Sequence, residues 1–392
     1  IHRISIMRQI VFYSMPFILL FSRMIGFYIP ASFLPELYAI LFYLTNRRSY
    51  CSKKEFYALT CSGFILIWCS ILGNFSPDSF FFNETFRLCT MVAFVVVFVN
   101  TTFNERRLLQ IILCICKLHI LYSIFEFYWL NFHSFGNFDG LITGKVVTQS
   151  FDKESGYMNN SGNILFGLPF YRPFGLLIMP QLSGFIFSIG IILQFILHPK
   201  EKKSLLWYML FLATDIMCLA KTAIVCNVAL LLIIVFRLYV KKSVVIVGVS
   251  VAALSVAAAL ESTLDFQVLG DLQRDFEAIF NFPAYNWFIG RGFTSVDDYS
   301  QHGFTCESYW IRFIAHIGFL FFIVYVVTLK KIFASYSPML NNIVLVLLVF
   351  LNIHYCCTSA PFLLMCTALI IAVCIKHPEW KVNRSEVILN FS

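Results

Sequence analysis

Charge is what this sequence has least of. Asp, Glu, Lys and Arg make up 13% of its 392 residues, against roughly 25% in soluble domains. Apolar residues make up 59%, against roughly 45–50%. A soluble domain with a charged surface is thereby excluded. At about 20 apolar residues per span, the apolar runs suffice for roughly a dozen transmembrane helices and leave little for anything else. The net charge of +8 is not a nucleic-acid signal, because its Lys and Arg gather in connections between apolar runs. No Cys-x-x-Cys occurs among the 13 Cys, and no His-Cys group has ligand spacing. Most Cys, such as Cys61, Cys69, Cys114, Cys116, Cys218, Cys226, Cys366 and Cys374, lie within or at the ends of apolar runs, as small apolar side chains do. Acidic runs with metal spacing, internal repeats and low-complexity segments are also missing, which argues against a transporter built on paired halves. The first apolar run is too long for a signal-peptide core and no small-residue cleavage site follows it. It is read as an anchor, with Met7 as the candidate first residue.

What is there reads as a single all-α polytopic membrane domain over residues 1–392. Spans are predicted near 10–29, 34–45, 56–73, 88–103, 108–130, 174–197, 205–219, 222–240, 243–260, 308–329, 339–356 and 358–375. That is about twelve helices; because the second run is short and Pro-flanked and 220–222 is barely a turn, about eleven, or about ten plus re-entrant pieces, are the alternatives. The basic clusters Arg3/Arg8, Arg47/Arg48/Lys53/Lys54, Arg106/Arg107, Lys200/Lys202/Lys203, Lys241/Lys242, Lys330/Lys331 and Lys376/Lys381/Arg384 fall on alternate connections. Lys and Arg favour the cytoplasmic side, so those connections and both termini are assigned there. The long polar loops 131–172 and 261–307 then share the opposite face.

The second of those loops is where chemistry is expected. It opens with an amphipathic stretch, Leu264, Val268, Leu272, Phe276 and Phe280 at helical spacing, read as a cover lying on the bundle. The turn Trp287-Phe-Ile-Gly-Arg-Gly-Phe293 follows, with Arg291 between Gly290 and Gly292, residues that let backbone approach a ligand closely. Asp297, Asp298, His302 and Glu307 come next. Elsewhere, Arg172-Pro-Phe-Gly precedes Pro180 and Gly184, so a broken helix exposes N–H groups beside an Arg, a combination that can hold phosphate. Ala220-Lys-Thr-Ala223 sets an ammonium at a turn on the same face. Ionisable residues within spans are Arg23, Lys117, His119, Glu126, Asp215, Lys221 and Arg312. Each is a functional suspect, since a charge at the centre of a membrane helix costs at least about 2.5 kcal/mol. Glu126, Asp215, Lys221 and Arg312 fall toward the face of the long loops, whereas Arg23, Lys117 and His119 are read as snorkelling or paired within the bundle.

Four local patterns, in this order, resemble the Wzy-type O-antigen polymerases and the related O-antigen ligases of bacterial inner membranes. They are Arg172-Pro-x-Gly with Pro180 and Gly184, the Ala220-Lys-Thr-Ala223 step, the Gly290-Arg-Gly292 turn, and Glu307 leading to Ile317-Gly318. The likeness covers roughly residues 90–330, with Lys221 where the family often has Arg, and Met179 where it has Glu before Pro.

The resemblance implies a multi-helix fold of the GT-C type in the bacterial inner membrane and a glycosyl transfer on its periplasmic face. The donor is expected to be an undecaprenyl-diphosphate-linked sugar chain and the acceptor another lipid-linked repeat unit. A flippase and a chain-length regulator of the same pathway are the expected protein partners. Such a transfer needs a base for the acceptor hydroxyl and cations for the departing diphosphate. His302 is the candidate base and Glu307 the reserve. Arg172, Lys221, Arg291 and Arg274 are candidates for the positive charge, with Gly290 and Gly292 shaping the turn, and neither metal nor cofactor is expected. The rival readings are a ligase that transfers polymer to lipid A core and a flippase of lipid-linked sugars. Two long loops favour the polymerase.

The orientation is testable by labelling. A Cys placed at Ser155, in a background freed of reactive Cys, is expected to react with an impermeant maleimide from the periplasmic side. Reaction only after the inner membrane is permeabilised would reverse the topology.

Overall fold

The computed structural model describes residues 12–21, 34–46, 51–72, 79–132, 151–152, 157–158, 162–165, 168–177, 179–198, 203–236, 284–292, 308–332, 338–353 and 357–376. Most of these are helical. The predicted span 243–260 and the amphipathic cover 264–280 lie outside the described residues. Among the described residues three helices are long and apolar enough to cross a membrane: α3 (Lys53–Leu72), residues Glu105–Trp129 of α5 (Glu105–Phe132) and α6 (Pro180–Leu197). Further helices stand at other predicted runs, as α1 (Phe12–Phe21), α2 (Leu34–Asn46), α4 (Ser79–Asn100), α7 (Lys203–Cys218) and α8 (Lys221–Phe236). Toward the C-terminus come α9 (Ala284–Ile289), α10 (Tyr309–Ile317), α11 (Phe319–Ile332), α12 (Pro338–Leu351) and α13 (Pro361–Lys376).

Side chains are distributed inside out. Leu205, Leu206, Met209 and Ile216 of α7, and Leu320, Ile323, Val324 and Val327 of α11, are exposed, while Glu84, Glu126, Asp215 and Arg312 are buried. Water would penalise such apolar faces, and a lipid surround does not.

The chain divides into two compact units. In the first, which holds residues 104–266, α6 is the central helix and packs on α5, α7 and α8. It is apolar all round and buried from Pro180 to Phe195, as a helix surrounded by others must be. Lipid tails are as apolar as Leu, so helix association inside a bilayer depends on close packing more than on removal from water. Small residues supply it here. A Cβ added at Gly184 would lie 2.5 Å from that of Ala220 and 2.6 Å from that of Ala223, and one at Gly190 would lie 2.5 Å from the Phe211 ring.

The first long loop is not wholly irregular. It carries two short antiparallel pairs, β1 (Phe151–Asp152) with β2 (Tyr157–Met158) and β3 (Gly162–Leu165) with β4 (Leu168–Tyr171). The second pair runs from Gly162 opposite Tyr171 to Leu165 opposite Leu168, and β4 packs along α5, delivering the chain to Arg172. The sequence reading had no strands, because runs this short carry no periodicity.

The second unit holds residues 36–103 and 267–381, with α13 packed on α4. Ser52 and Glu55 form a capping box at α3, the Ser52 amide reaching Glu55 Oε2 at 2.8 Å and the Glu55 amide reaching Ser52 Oγ at 3.3 Å. Lys376, in the last turn of α13, donates to the Thr101 carbonyl at 2.8 Å and lies 4.6 Å from the centre of the Phe103 ring. The predicted span 308–329 is not one straight helix. Gly318, at φ +82, breaks it into α10 and α11, which meet at 110°. With 9 residues, α10 rises only about 13 Å, less than half of the roughly 30 Å hydrocarbon core. The pair counts as one broken span or a re-entrant segment.

Charges buried in this unit are paired. Arg312 Nη2 on α10 meets Glu84 Oε1 on α4 at 3.0 Å, and one turn further Arg87 pairs with Glu36 of α2. Removing one member of a buried pair strands the other, at a cost of about 3–5 kcal/mol. Glu84→Ala is therefore expected to lower stability by about that much, and Glu84→Leu with Arg312→Met by clearly less. Denaturant unfolding of the detergent-solubilised protein measures both. A double variant that loses the sum of what the two single variants lose would show that the pair is uncoupled.

Candidate functional site

The polar centre of the first unit starts from a stripe on α5. His119, Ser123 and Glu126 stand at i, i+4 and i+7, on one face of an apolar helix, and all are fully buried. They face the lead-in to α6. Pro173 follows Arg172 and fixes the local backbone, and Gly175 takes φ +68. Only glycine fits there, since a Cβ would lie 2.2 Å from Ser183 Oγ and 2.5 Å from His119 Cε1.

That conformation turns successive amides onto side chains. The Gly175 N–H donates to Glu126 Oε2 at 2.8 Å. The Leu176 N–H donates to His119 Nδ1 at 3.4 Å, which leaves the imidazole proton on Nε2. Ser183 Oγ donates to the Phe174 carbonyl at 2.6 Å, and the Met179 N–H to the same oxygen at 3.1 Å. The N–H groups that the sequence offered to phosphate thus serve Glu126 and His119 instead.

A second buried carboxylate stands nearby. Asp215 on α7 accepts from Asn227 Nδ2 on α8 at 2.6 Å, and its Oδ1 lies where a Gly184 side chain would be, 2.6 Å from the added Cβ. The charges of Asp215, Glu126 and Arg172 all bear on the Cys218 thiol. Glu126 Oε1, Asp215 Oδ1, Asn227 Oδ1 and His119 Nε2 are buried without a hydrogen-bond partner among the described residues. The turn after Cys218 is tight: Leu219 has φ +44, and Lys221, half-buried, is the first residue of α8. Among the described residues no group of His, Cys, Asp or Glu is arranged to hold a metal ion.

The first two sequence patterns meet here. Gly184 of the Arg172–Gly184 pattern packs on Ala220 and Ala223 of the other, bringing Arg172 and Lys221 into one unit. The last two meet in the second unit. Gly290, at φ +82, leaves a gap that the His316–Gly318 backbone fills, a Cβ there falling 2.3 Å from the His316 carbonyl oxygen. Gly318 reciprocates, its own added Cβ falling 2.4 Å from the Phe288 carbonyl oxygen. Arg291 N–H donates to the Ala315 carbonyl and Gly292 N–H to that of His316, both at 3.0 Å, while His316 Nδ1 lies 2.5 Å from the Gly292 carbonyl. The close approach at Gly290 is therefore to the chain's own backbone. It leaves Arg291, half-buried, at the corner of the 110° bend.

His302, Glu307, Arg274, Asp297 and Asp298 lie outside the described residues. Glu126 and Asp215 were legible as charges in apolar runs, and Arg312 resolves as the partner of Glu84. Ser183 and Asn227 were missed, and His119 was given only a bundle role. The readable signal was the i, i+4, i+7 polar stripe on α5 and a lone Asn early in α8. Comparison with protein-family models, curated proteins and solved structures yields no match.

Gly175 generates a prediction. Gly175→Ala places a side chain at positive φ against Ser183 and is expected to cost about 1–3 kcal/mol. Gly63, with nothing within 4 Å of its added Cβ, is the control, and Gly63→Ala is expected to be neutral or stabilising by about 0.5–1 kcal/mol. Thermal unfolding in detergent reads both, and equal behaviour of the two variants would count against the tight turn.

Proposed function

We propose that this chain is an integral-membrane glycosyltransferase that polymerises undecaprenyl-diphosphate-linked O-antigen repeat units on the periplasmic face of a bacterial inner membrane, with about twelve spans in a GT-C-like arrangement. One observation supports the reading most. In a chain with so little charge, the fully buried carboxylates of Glu126 and Asp215 lie in the same unit as Arg172 and Lys221, around a broken helix.

Arg172 and Lys221, with Arg291 and Arg274, take the charge that builds on the diphosphate as the glycosidic bond breaks. His302 takes the proton of the acceptor hydroxyl, with Glu307 in reserve. The hydroxyl oxygen attacks the anomeric carbon, and the lipid diphosphate leaves with the bonding electron pair.

The test is chain extension by purified protein from lipid-linked repeat units. Losing one charge-assisted contact to a diphosphate costs about 1.5–3 kcal/mol, roughly ten- to a hundred-fold in rate. Arg172→Ala, Lys221→Ala and Arg291→Ala are each expected to fall by that factor, and the charge-keeping swaps Arg172→Lys, Lys221→Arg and Arg291→Lys by less. Full activity in an alanine variant removes that residue from the site. In cells, loss of the gene should leave one repeat unit on the lipopolysaccharide core. A core bare of repeat units while lipid-linked polymer accumulates would indicate a ligase, and units held in the cytoplasm a flippase.

A further inference from the structure

We infer that Glu126 is a positioning residue, whose carboxylate holds the Phe174–Leu176 backbone and through it aims the Arg172 guanidinium; this rests on the diphosphate role proposed for Arg172. The backbone just after Arg172 is gripped by side chains from two helices. Glu126 and His119 of α5 accept from the Gly175 and Leu176 amides at 2.8 and 3.4 Å, and Ser183 of α6 donates to the Phe174 carbonyl at 2.6 Å.

Gly175 at φ +68 turns its amide onto Glu126, so the carboxyl group that this turn meets is part of the protein. The alternative, that Glu126 takes a proton from substrate, meets a geometric objection. Glu126 has no exposed surface and its second oxygen is also buried, so an acceptor sugar has no approach to it. Arg172, in contrast, is partly exposed, with Pro173 and Phe174 between it and the anchored amide. Shifting those amides shifts its side chain.

The experiment is a double-variant cycle in the full chain. Glu126→Leu and Glu126→Gln are each made in the parent and in Arg172→Ala, and chain extension is read beside amide hydrogen exchange of the 172–179 peptide. Glu126→Leu is expected to lose roughly ten- to a hundred-fold in rate, to raise exchange in that peptide, and to cost nothing further in Arg172→Ala. Glu126→Gln keeps an acceptor oxygen and should recover most of the rate and the protection. If Glu126→Gln is as inactive as Glu126→Leu, or if Glu126→Leu keeps its full loss in Arg172→Ala, Glu126 acts on substrate directly and the inference is overturned. If Arg172→Ala itself extends chains like the parent, the diphosphate reading fails and exchange alone decides. Protection lost in Glu126→Leu and restored in Glu126→Gln then upholds the grip on the backbone, and unchanged protection overturns it. Should Glu126→Leu not fold, Ser183→Ala, which removes only the bond to the Phe174 carbonyl, takes its place in the cycle. A smaller loss that disappears in Arg172→Ala supports the inference, and a loss that persists there sinks it.

Discussion

A helix that begins inside an apolar bundle leaves its first amides with no water to bond, and in this chain the start of α6 depends on how that is met. Met179 at the N-cap makes no side-chain cap, and Pro180 follows it with no N–H of its own. The Met179 carbonyl accepts from the Ser183 amide, and the Met179 amide returns to Phe174. Upstream, where turn geometry would strand the Gly175 and Leu176 amides, α5 supplies Glu126 and His119. An unsatisfied amide in a low-dielectric setting costs several kcal/mol. The polar stripe on α5 is thus first a solution to a backbone problem, and the charge beside Arg172 comes with it.

Glycine does in both units what charge cannot. At Gly184 two helices approach closely enough for Ala220 and Ala223 to take the space of a side chain. At Gly290 and Gly318 two backbones cross so tightly that neither position admits a Cβ. Trp68 of α3 closes that second contact by donating to the Ile289 carbonyl at 2.9 Å, and its ring packs with Phe321, centroids 5.0 Å apart. In lipid, where apolar burial contributes little to helix association, such van der Waals contact and the hydrogen bonds around it decide which helices meet. The buried charges meet different fates in the same setting. Arg312 has a carboxylate at 3.0 Å, whereas Glu126 accepts from the Gly175 amide.

The helices were legible because their signal is large. A run such as Leu108–Leu130 is mostly apolar, and α5 forms over Glu105–Phe132 as that demands. The break at Gly318 was not legible as a 110° bend, since Ile317-Gly318 sits in a run that stays apolar on both sides and hydropathy does not see direction. The hairpin ending at Tyr171 escaped for the opposite reason, its strands being too short to show alternation. For the site, the sequence pointed to Arg172, Lys221, Glu126 and Asp215, because a charge in an apolar run stands out against the cost of burying it. It could not show that the Gly175 amide already has an acceptor. That depends on a contact between residues 49 positions apart in the chain.

The placing of the cations bears on what the first unit is built to meet. Gly175 touches Ser183 and Gly184 touches Ala220, so Arg172 and Lys221 each lie a short step from the same point on α6. Lys221 is the first residue of α8, where a helix presents about half a positive charge, and a cation there is disfavoured. The turn that sets it there holds Leu219 at φ +44, a conformation that costs about 1–3 kcal/mol and persists only when surrounding packing fixes it. Arg172 lies in the lead-in to α6, which begins at Pro180. Fold stability alone would favour an acid or a small polar residue at the start of α8. On the reading proposed above, these two cations are what the donor's diphosphate would meet. The Glu126 carboxyl group turns instead to the chain's own backbone, accepting from the Gly175 amide.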